Sequence, residues 1–336
     1  MYTLEEIKQQ AEQMERTFDV VEKLNLAKLT SDNVIFTGCG TSYYLAIAAA
    51  RFFQAKTGIS SQAVPASDLF LHPEMIISPN NQYTLFSISR SGTTTEISIA
   101  LETIQKYENV KKIAITCNDN TPIQQMSDQS IVLEHISEKS VVMTQSFTNM
   151  LFAIQCYAAF AYRLNIESYE QLVNELKKEV SNHDENVQKI ASNKELKQFI
   201  FLGSGSYSGI AKEATLKLKE MTQTVCESYS SLEFRHGPIS IVDDHTCVIL
   251  LSQKSANSYE SSLVAHIQQF GGKVVVIGEN ASSLNGDYTI ELPSGFTDWE
   301  RLTLYMPALQ LLAYYRAIAL GLNPDQPKNL TQVVKL

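Results

Sequence analysis

Apolar and polar positions follow a recurring order along this chain: a short apolar run, a turn rich in glycine and hydroxyl residues, then a stretch with helical spacing. Residues 33–37 form the first apolar run, closed by Gly38 and followed by a helix-like stretch at 43–54. Residues 83–89 form the second, which ends in Arg90-Ser91-Gly92 and feeds a helix through Glu96. Residues 112–117 form the third, closed by Asn118-Asp119-Asn120. Short runs without polar alternation are expected of strands buried on both faces, and strands separated by helices imply parallel βαβ units. The pattern also predicts an amphipathic helix over 3–25 and a buried helix around 150–162, broken by Gln155 and too short to span a bilayer.

The same order then recurs. Residues 198–205 mirror the first glycine turn, 247–252 the second strand and 273–278 the third. Gly38 and Gly203 are separated by 165 residues, as are Ser87 and Ser252, and Glu96 and Glu260 by 164. Three landmarks within one residue of a common offset read as an internal duplication. The expected organisation is α/β, with two Rossmann-like αβα layers in tandem. The first domain is expected over 1–165, a helical connector over 166–197 and the second domain with its tail over 198–336.

Composition narrows the function. A hydrophobic share of 44% and a charged share of 19% are those of a globular protein. The net charge of −9 provides no basic surface for nucleic acid or an anionic membrane. Any phosphate ester must therefore be held by local N–H groups and hydroxyls. Five widely spaced cysteines with no C-x-x-C pair argue against a disulfide framework or a zinc site. No signal-peptide pattern opens the sequence, so a cytoplasmic location is expected. No metal and no cofactor are expected.

Two turns carry the chemistry of anion binding. In Gly38-Cys39-Gly40-Thr41-Ser42 the glycines allow close backbone approach, with hydroxyls where a helix begins. In Ser89-Arg90-Ser91-Gly92-Thr93-Thr94 a hydroxyl cluster again precedes a helix, and Thr93 and Glu96 have capping-box spacing. A helix N-terminus offers unpaired N–H groups and about half a positive charge. The plainer reading is that both are ordinary strand–helix turns, where Gly, Ser and Thr abound. Two such turns at carboxyl ends of adjacent strands favour a ligand site. The counterpart of the second turn, residues 252–257, has lost the glycine and the threonines, so the first repeat is expected to hold the phosphate. A third glycine of G-x-G-x-x-G is missing and no G-x-x-x-x-G-K-[ST] occurs, which argues against NAD and ATP.

After the Gly203 turn, Glu213, Lys217 and Glu220 share one helix face by their spacings of four and three. Alone they would read as a solvated Glu–Lys pair. His236, between Arg235 and Gly237-Pro238, is expected off any regular element, where binding residues concentrate. A glutamate moving a proton between C1 and C2 of a sugar, with a histidine assisting ring opening, suits aldose–ketose chemistry. The other five histidines, His72, His135, His183, His245 and His266, are expected to be structural or surface residues without comparable loop context.

These segments resemble the SIS (sugar isomerase) family, in its tandem two-domain form. They are similar to the isomerase half of glucosamine-6-phosphate synthase and to the galactosamine/tagatose-6-phosphate isomerase-deaminases. The resemblance rests on residues 38–42, 89–94, 213–220 and 234–238, with 309–315 and 325–330 near the C-terminus. It implies that Thr41, Ser42, Ser89, Ser91 and Thr94 hold the sugar phosphate, with Cys39, Gly40 and Arg90 lining the same site. It implies Glu220 as the enolising base, Lys217 as a helper near the ring oxygen and His236 as the ring-opening group. In relatives that histidine comes from the neighbouring subunit, which implies a homodimer with shared active sites and an inactive isolated monomer.

Two departures shape the expectation. No glutaminase portion precedes the first repeat, so glutamine-dependent synthesis is not expected. The position of the family's imine-forming tail lysine falls on Gln332, with Lys335 three residues further on. The leading expectation is an isomerase/deaminase that converts an amino-sugar 6-phosphate to a ketose 6-phosphate and ammonia. The alternatives are a fructosamine-6-phosphate deglycase and a sugar-phosphate sensor without turnover.

Overall fold

The computed structural model describes residues 1–24, 26–182 and 184–331. His183, Gln332 and Lys335 lie outside the described residues. The chain forms two compact units, one built on residues 12–138 and 145–170, the other on 1–11, 139–144 and 171–330. Helix α1 (Tyr2–Leu24) opens the chain.

The unit built on 12–138 and 145–170 contains, in order, β1 (Asn33–Gly38), α2 (Thr41–Thr57), β2 (Ser60–Pro65), α3 (Ala66–Leu71), β3 (Tyr83–Ile88) and α4 (Thr95–Ile104). It continues with β4 (Val110–Thr116), α5 (Pro122–Gln125), β5 (Gln129–Val132) and α6 (Gln145–Tyr162). The five strands are parallel in the order β2-β1-β3-β4-β5. Every residue of β3 is buried, as a parallel strand covered on both faces requires. Alternate side chains point to opposite faces. Ile35 and Leu85 join Ile97, Leu101 and Ile104 of α4 on one side. Phe36 and Phe86 stack at 4.8 Å on the other, where Phe53 and Tyr157 stack at 6.1 Å. Burying each such ring contributes about 2–3 kcal/mol.

Helices α7 (Ile166–Asn182) and α8 (Asp184–Ser192) precede the second set of strands. That set runs β6 (Gln198–Leu202), α9 (Tyr207–Thr222), β7 (Val225–Tyr229), β8 (Thr246–Leu251), α10 (Asn257–Gln269), β9 (Lys273–Gly278), β10 (Tyr288–Glu291) and α11 (Met306–Ala319). Its strands are parallel in the order β10-β9-β8-β6-β7, which is the first sheet's arrangement element for element. Ile200, Leu202, Val248 and Leu250 pack with Leu263 and Ile267 on one face. Across the other, α11 packs on α8 and α9. The Arg316 guanidinium of α11 donates to the carbonyls of Ala191, Asn193 and Leu196 at 3.1, 2.7 and 2.6 Å. The opening helix is capped from far along the chain: Asp325 accepts from Tyr2 N, Thr3 N and Thr3 Oγ1 at 3.0, 2.8 and 2.7 Å.

In both sheets the chain leaves the first strand toward one edge and returns to build toward the other. The switch points therefore lie between β1 and β3 and between β6 and β8, where open α/β sheets gather ligands at the strands' carboxyl ends. Gly38 and Gly203 occupy equivalent positions there. A Cβ at either would collide with the backbone of the helix that follows, at Ser42 and Tyr207 respectively.

The central strands fall where the apolar runs place them, and the helix expected around 150–162 is α6, buried through most of its length. The hydrophobic pattern does not predict the edge strands β2, β5, β7 and β10. Among the described residues no helix is long and apolar enough to cross a membrane.

Candidate functional site

In the first sheet, the two hydroxyl-rich turns follow β1 and β3, the pair that flanks the switch point. Gly40 takes a positive φ of 52° and starts α2, accepting from Tyr43 N and Tyr44 N at 2.9 and 3.0 Å. Thr41 and Ser42 are buried in the first turn of that helix. Burial, with Glu96 nearby, pushes the Cys39 thiol up to about 12, so it stays protonated and is not a nucleophile near neutral pH.

The second turn is held by its own hydroxyls. Ser89 Oγ lies 2.8 Å from Thr94 Oγ1 and accepts from Gly92 N at 3.0 Å. Ser91 Oγ accepts from Thr93 N at 3.2 Å and from Thr93 Oγ1 at 3.0 Å. The expected capping box does not form. Helix α4 starts at Thr95, Thr94 is its N-cap, and no side chain caps it because both threonine hydroxyls are engaged within the turn. A reciprocal box forms instead at Thr121 and Gln124, at the start of α5. That helix packs against Gly92, whose φ of +67° and contact with Thr121 leave no room for a Cβ.

Arg90 lies in the turn but turns its guanidinium to Glu138, at 2.9 Å, with the carboxylate buried. Its carbonyl accepts from Cys117 N, Thr116 Oγ1 and Asn118 Nδ2 at 3.1, 3.2 and 3.0 Å. Glu138 in turn accepts from Ser146 N and Oγ at 2.9 and 2.6 Å. Glu138 does not stand out in the sequence, since its partner Arg90 lies 48 residues away.

In the other unit, α9 brings Lys217 and Glu220 together. Lys217 Nζ lies 2.5 Å from Glu220 Oε2 and 3.4 Å from Glu213 Oε1. The solvated-pair reading fails on burial: Lys217 and Glu213 are 1% and 0% exposed, while Glu220 remains 19% exposed. Burial alone would pull the Lys217 ammonium down. The carboxylates of Glu213 and Glu220 outweigh it and hold the group above its ordinary value. Lys217 is thus a fixed positive charge beside Glu220, not a neutral amine. Spacing puts Glu213 on this face but does not reveal that it is the buried counter-ion.

His236 lies between two 3₁₀ turns, Glu233–Arg235 and Pro238–Ile241, followed by Gly237 at φ 118°. Phe234 anchors this stretch, fully buried in the second sheet's core and 5.4 Å from the Tyr229 ring. The imidazole is exposed, and among the described residues it makes no hydrogen bond or ion pair with Lys217 or Glu220. The expectation that its loop setting sets it apart from the other histidines needs correcting. His72 and His245 also lie in turns between regular elements. Two more of the described histidines have partners: His135 bonds Thr17 and the Gln13 carbonyl, and His266 Nδ1 lies 3.2 Å from Arg235 Nη2. Among the described residues no cluster of His, Cys, Asp and Glu could hold a metal.

Relatives place this geometry in a family. The chain is 31% identical to glutamine–fructose-6-phosphate aminotransferase (isomerizing) of Buchnera aphidicola over 320 residues, covering 91% of this chain and 52% of that protein. It therefore spans about half the length of the aminotransferases it matches. It is 30% identical to D-galactosamine-6-phosphate deaminase of Shewanella sp. over 89% of this chain and 78% of that one. The structure of a glucosamine-6-phosphate deaminase from Thermotoga maritima superposes with a TM-score of 0.87 at 29% identity, covering 100% of both chains. The SIS domain profile matches twice, over residues 29–160 and 194–315, each span holding one of the two five-stranded sheets. With two parallel sheets of one topology and that double match, the chain belongs to the SIS domain family, in its tandem form.

Proposed function

We propose that the protein is a phosphosugar enzyme of the isomerase/deaminase kind, converting an amino-sugar 6-phosphate and water to a ketose 6-phosphate and ammonia. The observation that carries this reading is the ion cluster of α9. A buried Lys217 ammonium holds the partly exposed Glu220 carboxylate at 2.5 Å, backed by buried Glu213. Burying a lysine and a glutamate together costs several kcal/mol of desolvation, an expense that suits a site needing fixed charge. Similarity to two hexosamine-phosphate deaminases over most of their length supports the same reading.

In this scheme the hydroxyls of Thr41, Ser42, Ser89, Ser91 and Thr94 and the N-terminus of α4 hold the phosphate, while Cys39, Gly40 and Arg90 shape the turns around it. His236 protonates the ring oxygen as the sugar opens to its aldehyde. Glu220 takes the C2 proton and returns it to C1, with the Lys217 charge stabilising the enolate oxygen formed between these steps. The product carries an imine at C2. Addition of water to that carbon expels ammonia and leaves the ketone.

Ser91→Ala removes one donor to a dianion and should weaken sugar-phosphate binding about tenfold to a hundredfold with kcat largely kept, as measured by titration calorimetry beside steady-state kinetics. The active unit in this scheme is a homodimer in which His236 serves its neighbour's site. Mixing inactive Glu220→Gln and His236→Ala proteins should then restore activity by forming mixed dimers, whereas a mixture that stays silent contradicts sharing.

The reaction is tested with glucosamine 6-phosphate, galactosamine 6-phosphate and a fructosamine 6-phosphate supplied separately. Ammonia with a ketose 6-phosphate from a hexosamine is the expected result and identifies the sugar. A free amino acid from the fructosamine alone would assign a deglycase, and tight binding without turnover on all three would assign a sensor.

A further inference from the structure

The second sheet carries a turn built like the first sheet's phosphate-type turn. It follows β8, at the switch point of that sheet, and leads into α10. In the first turn Ser89 Oγ reaches Thr94, five residues on, at 2.8 Å; in the second Ser252 Oγ lies 3.0 Å from Asn257 Oδ1, five residues on. A glutamate follows each, Glu96 in α4 and Glu260 in α10, and each has a carboxyl oxygen buried and without a hydrogen-bond partner among the described residues. Glu260 otherwise accepts from Ser252 Oγ at 2.7 Å and Gln253 N at 3.4 Å.

The two turns differ in what their donors hold. In the second, Lys254 N donates to Asp298 Oδ1 at 3.0 Å, and Ser255 N and Oγ both donate to Asp298 Oδ2 at 3.2 and 3.1 Å. An anion is thus already seated there, and it is the chain's own. Asp298 arrives from the segment between β10 and α11, whose residues Phe296–Trp299 line a cleft of 750 Å³ with Gly205 and Gln253–Ser255. That segment is fixed independently of the carboxylate. Tyr207 Oη donates to the Asp298 carbonyl at 2.6 Å, Glu300 accepts from Thr297 N at 2.8 Å, and the Arg301 guanidinium donates to the Phe296 carbonyl.

We propose that the 252–256 turn is a second phosphate-binding turn, kept closed to phosphate monoesters because the Asp298 carboxylate occupies its anion position. An internal group tethered in place acts at a high effective concentration, so free phosphate does not displace it. Without that carboxylate, two backbone N–H groups and a hydroxyl face an open cleft. The charge that opposes an incoming anion is Glu260. Burial pushes its carboxyl up to about 7, so near neutrality a substantial part of it is uncharged. The inference concerns the second unit alone and does not depend on which sugar the first turn receives.

The test is calorimetric titration of the full chain with inorganic phosphate, comparing wild type with Asp298→Ala, alongside the melting temperature at rising phosphate. The variant should bind one more phosphate per chain than wild type, and phosphate should raise its melting temperature more. Asp298→Ala/Ser255→Ala should lose most of that gain. Asp298→Asn keeps the side chain's shape and carries the same expectation with a smaller gain, should the alanine variant fail to fold. Equal stoichiometry and equal phosphate-dependent stabilisation in folded variant and wild type would overturn the proposal. Wild type that binds no phosphate at all would count against the first turn's role, while a variant that gains a site would still support this one.

Discussion

Replacing Glu220 with glutamine should lower kcat for amino-sugar phosphate turnover by about 10²–10⁴-fold, the range for loss of a positioned general base, while the affinity for sugar phosphate stays close to wild type. The reasoning follows from where the charge sits. Glutamine matches the carboxylate in shape and still accepts a hydrogen bond from Lys217, 2.5 Å away in the wild type. The scaffold is kept and the proton acceptor is lost. The turns proposed to hold the phosphate lie on other elements of the chain, so binding should persist. A kcat loss with KM nearly unchanged is the signature of a group acting in the transition state, and a rise in KM alone would mean that Glu220 only binds.

Replacing Lys217 with methionine should destabilise the protein by about 3–5 kcal/mol, because it leaves the Glu213 carboxylate buried beside an apolar chain. Glu213 is 0% exposed and the Lys217 ammonium lies 3.4 Å from it, so solvent offers little compensation when that charge is removed. The double change Lys217→Met with Glu213→Gln should recover much of that loss, since both the charge and its counter-charge are then gone. Urea denaturation of the single and double variants measures the difference. A single variant as stable as wild type would mean that the buried carboxylate finds its compensation elsewhere.

What the chain's pattern makes legible follows from how each feature is stabilised. Strands β1, β3, β4, β6, β8 and β9 are nearly or wholly buried and read as apolar runs, so their positions and order are evident from the amino acids alone. The edge strands mix polar with apolar residues, Ser60–Pro65 and Gln129–Val132 among them, because an edge faces solvent and carries polar residues. Thr93 and Glu96 have capping-box spacing, but spacing does not reveal that the threonine hydroxyl donates to Ser91 instead. The spacing of Glu213, Lys217 and Glu220 is visible, whereas the burial that separates an interior ion cluster from a solvated pair is not. Asp298 and the turn it occupies are 43 residues apart at Ser255, and no local pattern links them.

The most direct test of the account follows deuterium placed at C2 of a hexosamine 6-phosphate, the proposed substrate. If Glu220 removes the C2 proton before ammonia leaves, deuterium is lost from C2 in step with ammonia release and slows it, and Glu220→Gln slows both events together by about 10²–10⁴-fold. Ammonia released while deuterium stays on C2 would contradict the account, because the amine would then leave without the proton transfer on which the scheme depends.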